Sequence, residues 1–510
     1  MLGANPSLNG DSLPPLTLSP PVYQPSAPLS DFTFNTATRL SGFAANIKQP
    51  YTQSWNFGIQ RRLPGNRVLE VRYNGNRTVH QWVALNTNQV NVLAGRPGEA
   101  SFLDQFKQAQ KNLNLNGGAS FANNGLPGEA AIPVFEAAFA GAPAASGFAN
   151  STFIQNLRQG EAARMALALA GAGSASARYF CNLVGAAFGP CAKNLGYTGA
   201  GAGYPINYFQ ANPFKTGETN PVSYLDSAGY ATYHSAQVEF RQQVWHGLQF
   251  NANYTFSKNL GIDPGTNWEG QFAQFDLRDL HQSYLPTGFD RPHVFHISPV
   301  FDLPLGKGRP FLNQGKVLDR IVGGWTVSGI VTLQSGPPFR LTSGYWSVAQ
   351  GGDSGVVLNG ITGKDLQNAV GAYHPATYTG IGDFVQILDP KFLNGARGQG
   401  GANSQYILPS TAPGVQGAIV NLHGPNERYV DMAVSKNRPI TERLKVKLQA
   451  EFLNAFNHPV FGVLGGSTMN VVSSGFGVVT GTIGPNSVGS QVVAGGTTAR
   501  QIQVRANIQF

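Results

Sequence analysis

Apolar and polar residues alternate without a break at the C-terminus of the chain, in RQIQVRANIQF. Ile502, Val504, Ala506, Ile508 and Phe510 hold the even positions, while Gln501, Gln503, Arg505, Asn507 and Gln509 hold the odd ones. Successive side chains of a strand point to opposite faces, so the pattern predicts a strand over 500–510 with one apolar and one polar face. The same period of two recurs upstream. Trp55, Phe57 and Ile59 lead through the turn Leu63-Pro64-Gly65-Asn66 to Leu69, Val71 and Tyr73, which alternate with Glu70, Arg72 and Asn74. That is a hairpin. A second runs from Ala236, Val238 and Phe240 through Trp245-His246-Gly247 into Leu248, Phe250, Ala252, Tyr254 and Phe256. Strands are also predicted at 295–303 and 325–333, and a third hairpin joins Val430, Met432 and Val434 to Leu444–Phe452. The total is about nine strands, many of them near membrane-spanning length.

Between Val79 and Gly229 the alternation fails. FLDQFKQAQKNL and STFIQNLRQGEAARMALALAG have helical periodicity and sit among Gly-Ala stretches, which predicts one large insertion holding short helices. If the strands form a meander, the links at 63–66, 245–247, 304–322 and 438–442 fall at one end. The links at 78–232, 259–291, 335–427 and 457–499 fall at the other, so every long link lands on the same side. A soluble sandwich has no reason to sort its loops, whereas a transmembrane barrel has short periplasmic turns and long extracellular loops.

Composition points the same way. Only 12% of residues are charged, with 63 Gly, 33 Pro and 11% aromatics. A soluble surface normally carries about twice that charge. The polar faces (Glu, Arg, Lys, Gln, Asn) suit a wet lumen, and the apolar faces can meet lipid. The net charge of +9 is spread without a Lys/Arg block, which argues against nucleic acid. No apolar run reaches the roughly 20 residues of a membrane helix. The N-terminus has neither the basic nor the apolar region of a signal peptide, so the expectation is a cytoplasmic chain or one lacking its true beginning.

Candidate chemistry is sparse. Cys181 and Cys191 can close a local disulfide, as suits an exported protein, or remain two thiols. His293 and His296 stand three apart on a strand and so face opposite sides, which disfavours a shared metal. Glu269, Asp276, Asp279 and Asp290 form the densest acidic patch, without the spacing of a calcium loop. Gly351, Gly352 and Gly355 lack the strand-to-helix context of a phosphate loop, and no G-x-S-x-G elbow occurs. The reading is of a non-enzyme with no catalytic residue, no metal and no cofactor.

Several stretches, taken in order, resemble a known family: KQPYTQSWNFGIQRRLPGNRVLEVRYNGNR, LQFNANYTFSKNL, FDRPHVFHISPVFDLPLGKGRPF, GGWTVSGIVTLQSGPPF, LKVKLQAEFLNAFNHPVFG and the final strand. Together they are similar to the C-terminal part of TonB-dependent outer-membrane transporters, most closely the Oar-like β-barrel group. They cover most of 48–350 and 425–510 outside the insertion. The resemblance implies an all-β, antiparallel transmembrane barrel of about 22 strands with a plugged lumen, of which this chain supplies about nine. It implies that 1–50 is a loop or linker continuing from a missing upstream strand. The C-terminal barrel portion is then 51–510, with 78–232 as its extracellular insertion.

Further expectations follow from the resemblance. The protein lies in the outer membrane of a Gram-negative bacterium, against outer-membrane lipid. Ile502, Val504, Ile508 and Phe510 form the signal read by the barrel assembly machinery. The TonB complex is reached only through a plug segment absent here, and an unknown extracellular ligand is taken up with energy coupling. Tyr204, Tyr208, Phe209, Phe214, Tyr345 and Trp346 are candidate ligand-contacting loop aromatics, although loop packing explains them equally well. Two readings compete: a non-transporting outer-membrane or surface adhesion protein, and a soluble secreted carbohydrate-binding β-protein.

Overall fold

The computed structural model describes residues 40–171, 177–212, 222–262, 276–313, 316–373, 385–393, 405–439, 444–461, 469–473, 475–479, 481–482 and 499–509. Nine long strands form one antiparallel meander in chain order. They are β1 (Tyr51–Leu63), β2 (Arg67–Asn86), β3 (Val222–Trp245), β4 (Leu248–Ile262), β5 (His293–Asp302), β6 (Trp325–Gln334), β7 (Glu427–Pro439), β8 (Lys445–Leu453) and β9 (Gln501–Gln509). Two short pieces join its rim: Leu40–Phe43 beside the start of β3, and Tyr284–Pro286 beside the end of β4. Among the described residues, β1 pairs only with β2 and β9 only with β8, so the sheet is a partial barrel wall with two open edges.

Register carries each face from strand to strand. Ile59, Val71, Val238, Tyr254 and Phe295 follow one another across β1–β5 on the apolar face. Gln60, Glu70, Glu239, Asn253 and His296 follow on the polar face. Apolar side chains stay uncovered: Phe57 is 67% exposed and Val504 77%. Contiguous exposed apolar surface on this scale demands an apolar environment. Where β1 meets β2, the indole of Trp55 lies over Gly75. A Cβ at Gly75 would come within 2.3 Å of Trp55 Nε1, so only glycine admits the ring there.

The links at 64–66, 246–247, 303–324 and 440–444 leave one end of the sheet, and those at 87–221, 263–292, 335–426 and 454–500 leave the other. All four long links therefore share an end. The first is shorter than 78–232, because β2 and β3 continue to Asn86 and back to Val222. Register shifts at Val79/Gln81 and Gln81/Val83, with His80 at φ 57°, scramble the period of two. This is why the pattern read as broken there.

The long links fold into a cap with two cores. The first holds α1 (Phe102–Leu115), α2 (Pro133–Ala138), α3 (Ser151–Arg158), α4 (Ala162–Ala170), α5 (Ala177–Val184) and α6 (Gly189–Leu195). Ser101 caps α1 by accepting from the Asp104 amide, and Asn150 caps α3 through the Thr152 and Phe153 amides. Their apolar stripes meet in an aromatic cluster in which Phe102 packs edge-on to Phe209 at 5.1 Å, and Phe121 to Phe135 at 5.8 Å. The second core gathers Leu341, Val356, Ile387, Leu422, Val471 and Phe476 from the third and fourth long links. No helix among the described residues is long and apolar enough to cross a membrane.

Candidate functional site

Two surfaces carry polar chemistry: the polar face of the sheet and the junction of sheet and cap. On the polar face, Glu70 and Arg72 of β2 stand beside Glu239 and Arg241 of β3. Arg72 reaches Glu70 at 3.3 Å and Glu239 at 3.4 Å, and Arg241 reaches Glu70 at 3.0 Å and also pairs with Glu239. Each arginine bridges both carboxylates, so four charges on adjacent strands neutralise one another across the wall. Beside them lies an open trough of about 690 Å³ lined by Arg241, Asn251, Ser298, Ile330, Asp431 and Glu451.

At the cap end, Asp290 is fully buried. Its carboxylate accepts from Lys258 Nζ at 2.8 Å, His423 Nε2 at 2.9 Å and the Asn259 amide at 2.6 Å. Burial alone would raise its pKa, but hydrogen bonds from His423, Lys258 and the Asn259 amide outweigh it and hold the carboxyl below its ordinary value. The clamp fastens the third long link to the rim of β4. The first and third links are latched as well. Arg164 pairs with Glu161 at 2.6 Å, donates to the Gly344 carbonyl at 2.9 Å and covers the Trp346 ring at 4.1 Å. Burial raises the Glu161 pKa even against the hydrogen bond and charge of Arg164.

The aromatic candidates fall inside this packing. Tyr204, Tyr208 and Phe209 are buried in the helical core with Trp346, so they hold the cap together and present no face to a ligand. Burial pushes the Tyr208 phenol up to about 12 and raises Tyr204, which donates to Glu99 at 2.7 Å. Tyr345 is half-buried and accepts from the Gln159 side chain at 3.0 Å. Apolar loop segments pack with one another, and the sequence period alone does not separate such packing from a binding surface. Cys181 and Cys191 are joined in a disulfide that ties α5 to α6. Ile502, Val504 and Ile508 stand exposed on the apolar face of β9. Phe510, Phe214 and Glu269 lie outside the described residues.

The acidic residues do not converge. Asp276 pairs with Arg278, Asp279 accepts from the His281 amide, and Asp290 belongs to the clamp. Among the described residues no group of three or more His, Cys, Asp or Glu is placed to hold a metal ion. His293 meets Tyr254 on the apolar face at 2.7 Å, while His296 meets Thr332 on the polar face at 3.0 Å. Sequence reading missed the clamp because its members are far apart in the chain. FDRPHVFHIS carried Asp290, yet nothing local pointed to His423.

A period-two sheet with an uncovered apolar face and all its long links at one end is the geometry of a membrane-spanning wall. The family model described as an outer membrane β-barrel domain matches residues 3–503. The chain belongs to that family. This outer-membrane β-barrel domain accordingly resides in the outer membrane, with its apolar face in lipid and its polar face lining the lumen. Among solved structures, it is similar to the outer membrane transporter YddB from Escherichia coli. The two share 7% sequence identity and a TM-score of 0.32, over 92% of this chain and 34% of that one. The chain thus spans about a third of that transporter's length. No curated protein matches it.

Proposed function

We infer that this outer-membrane β-barrel domain is the C-terminal wall and extracellular cap of a TonB-dependent transporter of the Oar-like group, serving energy-coupled uptake. The observation that carries the reading is the direction of the two open strands. In a meander of nine, β1 and β9 both run from the cap end to the short-turn end. They cannot pair antiparallel with each other, nor can either pair so with the opposite edge of a second copy. Lipid does not satisfy an open sheet edge, so closure calls for an odd number of further strands. A larger barrel supplies such strands, and a plug within it would occupy the polar lumen beside the Glu70–Arg241 network. The resemblance of the strand motifs supports the same reading. In it the domain carries out no catalysis, is inserted by the barrel assembly machinery and depends on TonB through a plug.

The test is to isolate the natural gene product from energised outer membranes. It should run as a heat-modifiable barrel and crosslink in vivo to inner-membrane TonB. A barrel that closes on these nine strands and never contacts TonB would instead favour the adhesion reading.

A further inference from the structure

The helical part of the cap carries a pocket in which the wall takes no part. It has a volume of about 780 Å³ and opens between the turn 140–146 that follows α2, helix α5, and residues 195–199 at the end of α6. That volume suits a small organic molecule. The helical core holds its walls. The Tyr179 ring packs edge-on to Phe139 at 5.3 Å and to Phe153 at 5.6 Å, and the buried disulfide between Cys181 and Cys191 ties α5 to α6. A pocket fixed in this way needs little ordering when a ligand enters.

Its hydrogen-bonding groups are unbalanced. The acceptors are largely taken: the carbonyls of Ala140, Pro143, Ser146 and Gly199 accept from Asn182 Nδ2, the Ser146 amide, Tyr179 Oη and the Ala186 amide. The donors are not. The amides of Gly141, Thr198 and Gly199, all in the lining, donate to no described group. Arg178 is exposed and forms no ion pair among the described residues, and no carboxylate lines the pocket.

One acceptor stands free. Asn182 is nine-tenths buried, and its Nδ2 donates to the Ala138 carbonyl at 2.8 Å and to the Ala140 carbonyl at 3.0 Å. Those two bonds fix which way the amide is turned, and they leave Oδ1 without a described partner.

Each feature restricts the occupant. A lone guanidinium among free amides calls for an anion. Ala142, Pro143 and Leu195, with the Tyr179 and Tyr197 rings, call for a flat apolar body. The single free acceptor calls for one hydroxyl. A sugar would bring many hydroxyl donors to a site whose carbonyls are already engaged, and each unmet donor counts against binding. Inorganic phosphate would leave the apolar walls uncovered.

We propose that this pocket binds a hydroxylated aromatic carboxylate. The carboxylate meets Arg178, the ring lies against Tyr179 and Tyr197, and the hydroxyl donates to Asn182 Oδ1. The site belongs to the cap alone and is independent of energy-coupled uptake, which the TonB crosslink tests separately.

The experiment is isothermal titration calorimetry of the whole protein, extracted from outer membranes in mild detergent. The probes are para-hydroxycinnamate, its neutral amide and glucuronate. The wild-type protein should bind para-hydroxycinnamate with a Kd below about 1 mM, and the amide at least about 10-fold more weakly. Arg178→Gln should lose a comparable factor for the acid and no longer distinguish acid from amide. Hydrogen exchange across Ala177–Leu195 should match the wild type in this variant, so that the loss reports the charge and not the fold. Lys107→Gln, on the exposed face of α1, should change nothing. No binding of the acid by the wild-type protein, equal affinity for acid and amide, or tighter binding of glucuronate would each overturn the proposal.

Discussion

His423 places its Nε2 2.9 Å from the buried Oδ2 of Asp290, across 133 residues of chain. This contact joins the second and third long links above the rim, and its carboxylate is shared with Lys258 of β4. Removing the charge while keeping the shape should therefore release the cap without unfolding the wall. Asp290→Asn is expected to cost about 2–4 kcal/mol of local stability. Hydrogen exchange should rise at Asn421–His423 and stay unchanged across β1–β4. Unchanged exchange at Asn421–His423 would show that the clamp is incidental.

The same carboxyl sets a pH dependence. Its folded pKa lies below its unfolded value, so its contribution is complete above the unfolded Asp value of about 4 and is lost as pH falls below it. Limited proteolysis of the third long link should be equally slow at pH 7 and pH 5 and accelerate below about pH 4. Asp290→Asn should flatten this profile.

Gly160 sits between the two cap cores with φ +68°, and a Cβ there would lie 1.9 Å from the Thr411 carbonyl oxygen. The obstacle is backbone, so no rotamer change relieves it. Gly160→Ala should cost about 2–4 kcal/mol and loosen the latch at Gly344–Ser347, as read by hydrogen exchange there. An alanine variant with wild-type protection would contradict the close approach.

The disulfide closes a short loop between α5 and α6, both of whose cysteines are buried. Loop-closure entropy for this length is worth about 3 kcal/mol. Replacing both residues by serine should raise exchange in Ala177–Leu195 and leave the sheet untouched. The expected result is a local defect, and global loss of the barrel would mean that the cap nucleates the wall.

The wall was far more legible in the sequence than the cap. A strand with lipid on one face and water on the other must alternate, so Leu69–Tyr73 and Ile502–Ile508 disclose their orientation residue by residue. Sorting of link lengths then gave the end of the sheet at which the cap lies. The pattern failed at Val79–Val83, where bulges shift the register, and β2 and β3 run on beyond the predicted limit. It left packing and ligand contact open for Tyr204, Tyr208, Phe209 and Trp346, which the structure buries in the helical core, because an aromatic residue in a loop has the same identity in either role. The clamp and the latch were invisible for a different reason. Asp290 meets His423, and Glu161 meets Trp346, only after the long links have folded onto one another.

The central claim is that this sheet is a membrane wall with lipid on one side and lumen on the other, and β9 offers its most direct test. Single cysteines at Ile502, Val504 and Ile508, and separately at Gln503, Arg505 and Asn507, would be labelled with a fluorophore in the natural gene product in outer-membrane vesicles. Each site would then be challenged with a lipid-borne quencher and a water-soluble one. Strict alternation is predicted, with the first three sites quenched from lipid and the second three from water. Aqueous quenching at all six positions, or no alternation between the two sets, would contradict the account.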